Sequence, residues 1–291
     1  MTLRERLDVY EKLMRLDKPI GILLLMWPTL WGLWLSSYGI PNPGVLVIFV
    51  LGVILMRSAG CVVNDIADRN FDPHVERTRD RPLAAKKVSV AEAAALAGVL
   101  IALAFLLVVQ LNRLTVVLSA VALFLALTYP LLKRFFWMPQ AYLGVAFGFG
   151  IPMAFAAHQN TVVPAAWVVL AANVFWAIAY DTEYAMVDRE DDRRLGLKSS
   201  AILFGRHDVL AVMVCHALFL GILAFVGVWA HLGAFYFLGI APAAVAVGYQ
   251  YVLIRDRDRQ KAFQAFLSNN VVGVAIFAGI AIDFMLRIPL F

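Results

Sequence analysis

The sequence predicts an all-α membrane protein, with nine transmembrane helices in one bundle, the N-terminus inside, the C-terminus outside and two Asp-rich cytoplasmic connections. Three observations carry that expectation. The first is composition: 62% of the 291 residues are hydrophobic and 15% are charged, with a mean hydropathy of +0.80, whereas soluble domains carry about a quarter charged residues. The second is block length, since a helix needs roughly 20 apolar residues to span a bilayer. The third is the placement of Lys and Arg, which gather on one set of connections.

In chain order, residues 1–18 come first. Leu3, Leu7, Tyr10, Leu13 and Met14 set against Arg4, Arg6, Glu11 and Lys12 predict an amphipathic helix lying in the interface. No small-residue cleavage site follows the first apolar run, so a cleaved signal is not expected. Nine apolar blocks follow, near 19–37, 44–63, 88–111, 114–132, 138–157, 162–182, 208–230, 232–254 and 263–286. They leave no stretch for a second domain, so residues 1–291 form a single unit. With the N-terminus inside, the segments 1–18, 64–87, 133–137, 183–207 and 255–262 hold 22 of the 25 basic residues; the others are Arg57, Arg113 and Arg287. A net charge of +5 is accounted for by a face beside anionic lipid and calls for no nucleic-acid partner. Cys61 and Cys215 both fall in apolar runs, which gives a disulfide framework no support.

The polar chemistry lies at two inside connections. One reads Asn64-Asp65-Ile66-Ala67-Asp68-Arg69-Asn70-Phe71-Asp72, the other Tyr184-Ala185-Met186-Val187-Asp188-Arg189-Glu190-Asp191-Asp192. Spacing by four predicts that Asn64, Asp68 and Asp72 share one helix face, and that Tyr184, Asp188 and Asp192 share another. Like charges so spaced repel, unless a cation lies between them. Mg²⁺ takes hard oxygen ligands and is commonly shared between one or two carboxylates and a substrate phosphate. Two facing stripes therefore predict an Mg²⁺–diphosphate site. Asp68 to Asp188 and Asp72 to Asp192 have the same offset, which suggests duplication of a four-helix unit.

Arg69, Arg77, Arg79 and Arg81 follow the first stripe; Arg189, Arg193, Arg194 and Lys198 follow the second. Arginine grips phosphate with a bidentate fork and lysine as a point charge, although basic loops also arise from topology alone. Arg57 is sharper. It interrupts an apolar run seven residues before Asn64 and on the same helical arc, and a charge inside a membrane costs roughly 3 kcal/mol or more. Tyr129 and Lys133, again four apart and followed by Arg134, end the fourth block. Trp27, Trp31 and Trp34 read as a packing stripe, and the five histidines show no ligand spacing. No Gly-rich phosphate loop with its Lys-Ser/Thr is present, so nucleotide hydrolysis has no support.

With its Asn-Asp-x-x-Asp-x-x-x-Asp box and second Asp-x-x-x-Asp box, the chain resembles the intramembrane aromatic prenyltransferase superfamily over nearly its whole length. Leu13 to Gly21, Tyr180 to Asp192 and Gly196 to Gly205 are most similar to the 4-hydroxybenzoate polyprenyltransferases of ubiquinone biosynthesis. The resemblance implies Asn64, Asp68, Asp72, Asp188 and Asp192 as Mg²⁺–diphosphate ligands. It places Arg57, Tyr129, Lys133 and Arg134 at the substrates, to which the stripe adds Tyr184 and the second connection Lys198. It further implies polyprenyl diphosphate and 4-hydroxybenzoate as substrates, a lipid-embedded site and no obligatory protein partner. Catalysis is expected from Lys133, which steadies the leaving group, and from Asp65 or Asp191 polarising the phenol. The nearest rivals are superfamily members acting on naphthoate, homogentisate or haem. A CDP-alcohol phosphotransferase lacks its Asp-Gly-x-x-Ala-Arg pattern here. With no transit peptide, a bacterial inner membrane with the site toward the cytoplasm is expected.

Overall fold

The computed structural model describes residues 2–75 and 77–286; Arg287, which the topology expects on the outside, lies beyond them. Helix α1 (Leu3–Met14) begins with a reciprocal cap, the Thr2 side chain bonding the Glu5 amide and the Glu5 side chain bonding back to Thr2. Then come α2 (Ile20–Ser37), α3 (Pro43–Asp68), a 3₁₀ turn at Asp72–His74, α4 (Val90–Val108), α5 (Arg113–Leu132), α6 (Pro139–Gly148), α7 (Gly150–Gln159) and α8 (Pro164–Arg194). The chain closes with α9 (Ser200–Phe204), a 3₁₀ turn at Gly205–His207, α10 (Asp208–Trp229), α11 (Ala234–Ile254) and α12 (Arg259–Leu286). Side chains of Asn42, Ser89 and Asn112 cap the starts of α3, α4 and α5. Proline opens α3, α6 and α8, where its missing N–H costs nothing.

Among the described residues, nine helices are long and apolar enough to cross a membrane, counting α6 with α7 and α9 with α10. The expected spans are therefore present, with two corrections at their inner ends. Hydropathy stops near residue 182, but α8 continues as helix to Arg194, because Asp, Glu and Arg are acceptable helix residues once the backbone ladder is running. The second stripe is thus wholly helical. The first is not: α3 ends at Asp68, and Asp72 opens the 3₁₀ turn, since Pro73 disfavours helix at the residue before it. The break between α6 and α7 also has a local cause, as Pro152 has no N–H to give to Gly148.

Packing is uneven around the bundle. Trp31, Trp176 and Phe219 stack at ring separations of 5.2 to 5.9 Å where α2, α8 and α10 meet, so the tryptophan stripe does pack. Where α11 crosses α12, Gly239 and Gly279 touch, and a Cβ on Gly239 would lie 2.7 Å from the Gly279 Cα. Within the apolar window of α8, 61% of residues are buried, against 11% for α5. Helices α4 and α5 form the thin side of the molecule, and a long cavity lies behind them.

Candidate active site

The cavity measures about 770 Å³. One end is polar, lined by Asn64, Asp68 and Asp72 from the first motif and by Tyr184, Asp188 and Asp192 from α8. From there it runs along α3, α4 and α5 to Leu111 and Val116, which flank the turn at the opposite end of those helices. Ile101, Ala104, Phe105, Ala120 and Leu123 make that stretch apolar. Polar head and apolar trough are therefore one continuous space.

At the polar end, basic side chains hold the carboxylates. Lys133 from the end of α5 bonds Asp68, which also accepts the Asn64 amide at 3.3 Å. Arg81 reaches Asp72 at 2.9 Å. Burial pushes the Asp72 carboxyl above the ordinary carboxylate range; Asp65 and Asp68 add to the push, and Arg81 opposes it. Arg77 donates its Nε to Asp188 at 3.0 Å, bonds the Tyr184 hydroxyl and lies 4.6 Å over that ring. Asp192 is within electrostatic reach of Lys133 and Arg77. Among the described residues no three carboxylates converge on a shared metal position. The donor set nevertheless fits Mg²⁺: five hard-oxygen side chains line one chamber, and Asp68 Oδ1 is buried without a hydrogen-bond partner.

Of the residues singled out in the sequence, Arg57, Asn64, Asp68, Asp72, Tyr129, Lys133, Tyr184, Asp188, Asp192 and Lys198 line this chamber. Asp65, Asp191 and Arg134 do not line it. Asp65 is buried behind α3, bonded to Arg15 at the end of α1 and to Arg81 at 3.1 Å. Asp191 faces Arg259 on α12 at 3.4 Å. Arg134 donates to the Ala67 carbonyl and lies over Phe71. These three geometries are structural pairings, and they leave the chamber without either expected base.

Arg57 reaches into the chamber from α3, two turns deeper than Asn64. Its Nη1 donates to Cys61 Sγ, its guanidinium lies 5.5 Å over Phe147, and its Nε is buried and unpartnered. Gly21 makes room for it, since a Cβ there would lie 2.9 Å from Arg57 Cζ. Opposite stands a residue the sequence reading passed over. Asp181 on α8 lines the cavity with Gln140 and Ser199. The available signal was its spacing, seven residues before Asp188, as Arg57 is seven before Asn64. Cys61 and Cys215 are buried and unbridged.

The profile of the UbiA prenyltransferase family matches residues 25–272. A 4-hydroxybenzoate octaprenyltransferase of Nitrosospira multiformis is 62% identical over 287 residues, 99% of each chain. A solved UbiA homologue from Aeropyrum pernix K1, in its apo form, superposes with a TM-score of 0.79 at 30% identity, covering 90% of this chain and 97% of its own. A UbiA homologue from Archaeoglobus fulgidus, solved with DMAPP and Mg²⁺, is 18% identical and shares the fold at a TM-score of 0.71 over 96% and 99% of the two chains.

Proposed function

The chain belongs to the UbiA prenyltransferase family, and from that premise we propose that it transfers a polyprenyl group from its diphosphate to the ring carbon ortho to the hydroxyl of 4-hydroxybenzoate, a step of ubiquinone biosynthesis. One observation carries the reading. Carboxylates 120 residues apart in sequence line the mouth of a single cavity whose far part is apolar and runs along helices long enough to cross a membrane.

Asn64, Asp68, Asp72, Asp188 and Asp192 are the residues that would hold Mg²⁺, which when bound supplies Lewis-acid withdrawal of charge from the leaving diphosphate. Lys133, Arg77 and Arg81 now neutralise those acids. As phosphate oxygens arrive they exchange a carboxylate partner for a phosphate one and steady the charge that develops as the allylic C–O bond breaks. The isoprenoid tail takes the apolar trough toward Leu111 and Val116. Arg57 receives the acceptor carboxylate as a bidentate pair. The chamber excludes bulk water from the allylic cation, whose competing fate is hydrolysis.

The basic connections support a chamber on the cytoplasmic side of a bacterial inner membrane, with the N-terminus inside and the C-terminus outside. Cysteine placed at Asp80 or Lys198 should label from the cytoplasm, and cysteine at Asn160 from the other side; labelling of all three from one face overturns the orientation. The activity is tested with Asp72→Asn and Asp192→Asn. Each should lower turnover at least a hundredfold while leaving the bundle folded, and a chelator should silence the wild type until Mg²⁺ is restored. Full activity in either variant removes the two-motif site. A panel of aromatic acceptors separates 4-hydroxybenzoate from naphthoate, homogentisate or haem.

A further inference from the structure

Below the carboxylates, two charges of opposite sign line the chamber. Arg57 comes from α3, two helical turns deeper than Asn64, and Asp181 from α8, two turns deeper than Asp188. They act on one another electrostatically, yet among the described residues neither closes an ion pair. Gln140 at the start of α6 fixes the setting of Asp181. It is buried, its Oε1 accepts the Ser200 amide at 3.1 Å, and its NH₂ is left to act on Asp181. Arg57 keeps a buried Nε without a partner, and its guanidinium lies over Phe147. The Tyr180 hydroxyl and Ser199 Oγ are likewise buried, unpartnered and on the cavity wall.

A half-buried carboxylate faced by a neutral amide is costly, and so is an incompletely bonded guanidinium facing it. Both are relieved together by a flat ligand with an anion at one end and a hydrogen-bond donor at the other. We infer that Asp181 is a catalytic residue of this reaction: it accepts the hydrogen bond of the acceptor's ring hydroxyl while Arg57 holds the carboxylate, and it takes the hydroxyl proton as the new bond forms. This assignment rests on the prenyl-transfer reading above. It gives the role expected of Asp65 or Asp191 to a residue that touches the chamber.

The step balances. The C–C bond forms between prenyl C1 and the ring carbon ortho to the oxygen, the C1–O bond to diphosphate breaks, and the phenolic proton passes to Asp181, which leaves a neutral dienone. The ring carbon then gives its hydrogen as a proton to the departing diphosphate, and Asp181 returns its proton to the oxygen. The phenol is restored and the carboxylate regenerated.

The test compares wild type, Asp181→Asn and Asp181→Glu in steady-state prenyl transfer, with prenyl diphosphate binding measured separately in the presence of Mg²⁺. Removing a positioned base lowers turnover by about 10² to 10⁴-fold, so Asp181→Asn should lose at least about a hundredfold in kcat with 4-hydroxybenzoate. Prenyl diphosphate binding should stay within about threefold of wild type. With 3-fluoro-4-hydroxybenzoate, whose phenol ionises more readily, the deficit should shrink at least tenfold, because less depends on the base. Asp181→Glu, which keeps a carboxylate, should recover at least a tenth of the lost turnover. The assignment is overturned if the deficit is the same for both acceptors, if Asp181→Glu is as impaired as Asp181→Asn, or if diphosphate binding falls with turnover. A wild type that prenylates no phenol, yet binds prenyl diphosphate, counts against the reaction itself rather than against Asp181.

Discussion

In the first acidic motif every carboxylate is held by a cation from a neighbouring piece of chain, whereas in the second the cation partners divide by helix face. Asp65, Asp68 and Asp72 bond Arg15, Lys133 and Arg81, and Thr78 adds a bond to the Asp72 carbonyl. On α8, Asp188 meets Arg77 and Asp192 lies open on the chamber, while Arg189 and Asp191 point away and fasten the helix to its neighbours. Arg189 shares the fully buried Asp208 of α10 with Arg257, which follows α11. The second motif is therefore displayed on a bolted scaffold, and the first runs from the end of α3 into a cross-linked loop facing it. Arg77, carried on the loop and bonded to Asp188, is a direct tie between them. Binding of a charged substrate should rearrange the loop and leave α8 where it is.

The largest expected effect comes from unbolting the scaffold. Asp208→Ala leaves Arg189 and Arg257 without their shared carboxylate, and removing one side of a buried charge pair costs about 3–5 kcal/mol. Thermal unfolding in detergent should show that loss. A midpoint unchanged from wild type would mean α8 is held by apolar packing alone and would remove the contrast.

Arg81→Ala acts on the loop instead. Asp65 keeps Arg15, but Asp72 loses its ion pair, and a buried group left short of a partner costs about 1–3 kcal/mol. The expected result is a modest drop in midpoint together with at least a tenfold rise in the KM for prenyl diphosphate. If the midpoint falls as far as in Asp208→Ala, the two motifs are equally structural.

How far these settings could be read in the sequence follows from what each residue type signals. Long apolar runs announce helices, so the spans were legible; their inner ends were not, because hydropathy ends at the first charges while α8 continues to Arg194. The identical spacing of the two motifs concealed Pro73, which takes Asp72 off the helix and onto a turn. Arg57 stood out as an ion inside an apolar run. Asp181 stood one residue inside the end of the 162–182 run, two before Glu183, and was passed over as the margin of that span. Asp65 and Asp191 are each next in sequence to a chamber residue. A single step along a helix turns a side chain through about 100°, which is enough to bring them behind the wall. Glu183 was equally invisible as a structural group: it is buried, accepts from Asn269 at 2.7 Å and faces His216 at 3.7 Å inside the bundle.

Arg77→Gln severs the tie between motif and loop without removing a chamber carboxylate. Arg77 is a third exposed, so its contribution to stability is small. The KM for prenyl diphosphate should rise about tenfold, equivalent to about 1.4 kcal/mol, with kcat changed less. A rise confined to the KM of the aromatic acceptor would place Arg77 in the wrong half of the site.

The smallest effect belongs to Asp191, and it bears most directly on how the two faces of α8 divide their work. Asp191 is adjacent to Asp192 in sequence, but its carboxylate meets Arg259 at 3.4 Å, and that arginine is half exposed. A pair in such a setting is worth at most about 1 kcal/mol. Its removal leaves the bolt through Asp208 intact, together with the chamber acids Asp188 and Asp192. Asp191→Asn should therefore unfold within about 1 kcal/mol of wild type and keep turnover within about threefold, with both KM values nearly unchanged. The measurement is the same prenyl-transfer assay used for Asp181→Asn, run side by side. A loss of a hundredfold or more in Asp191→Asn, with the fold intact, would mean that the outward face of α8 takes part in the chemistry. The separation between a scaffold face and a chamber face would then fail, and with it the assignment of the phenol's proton to Asp181.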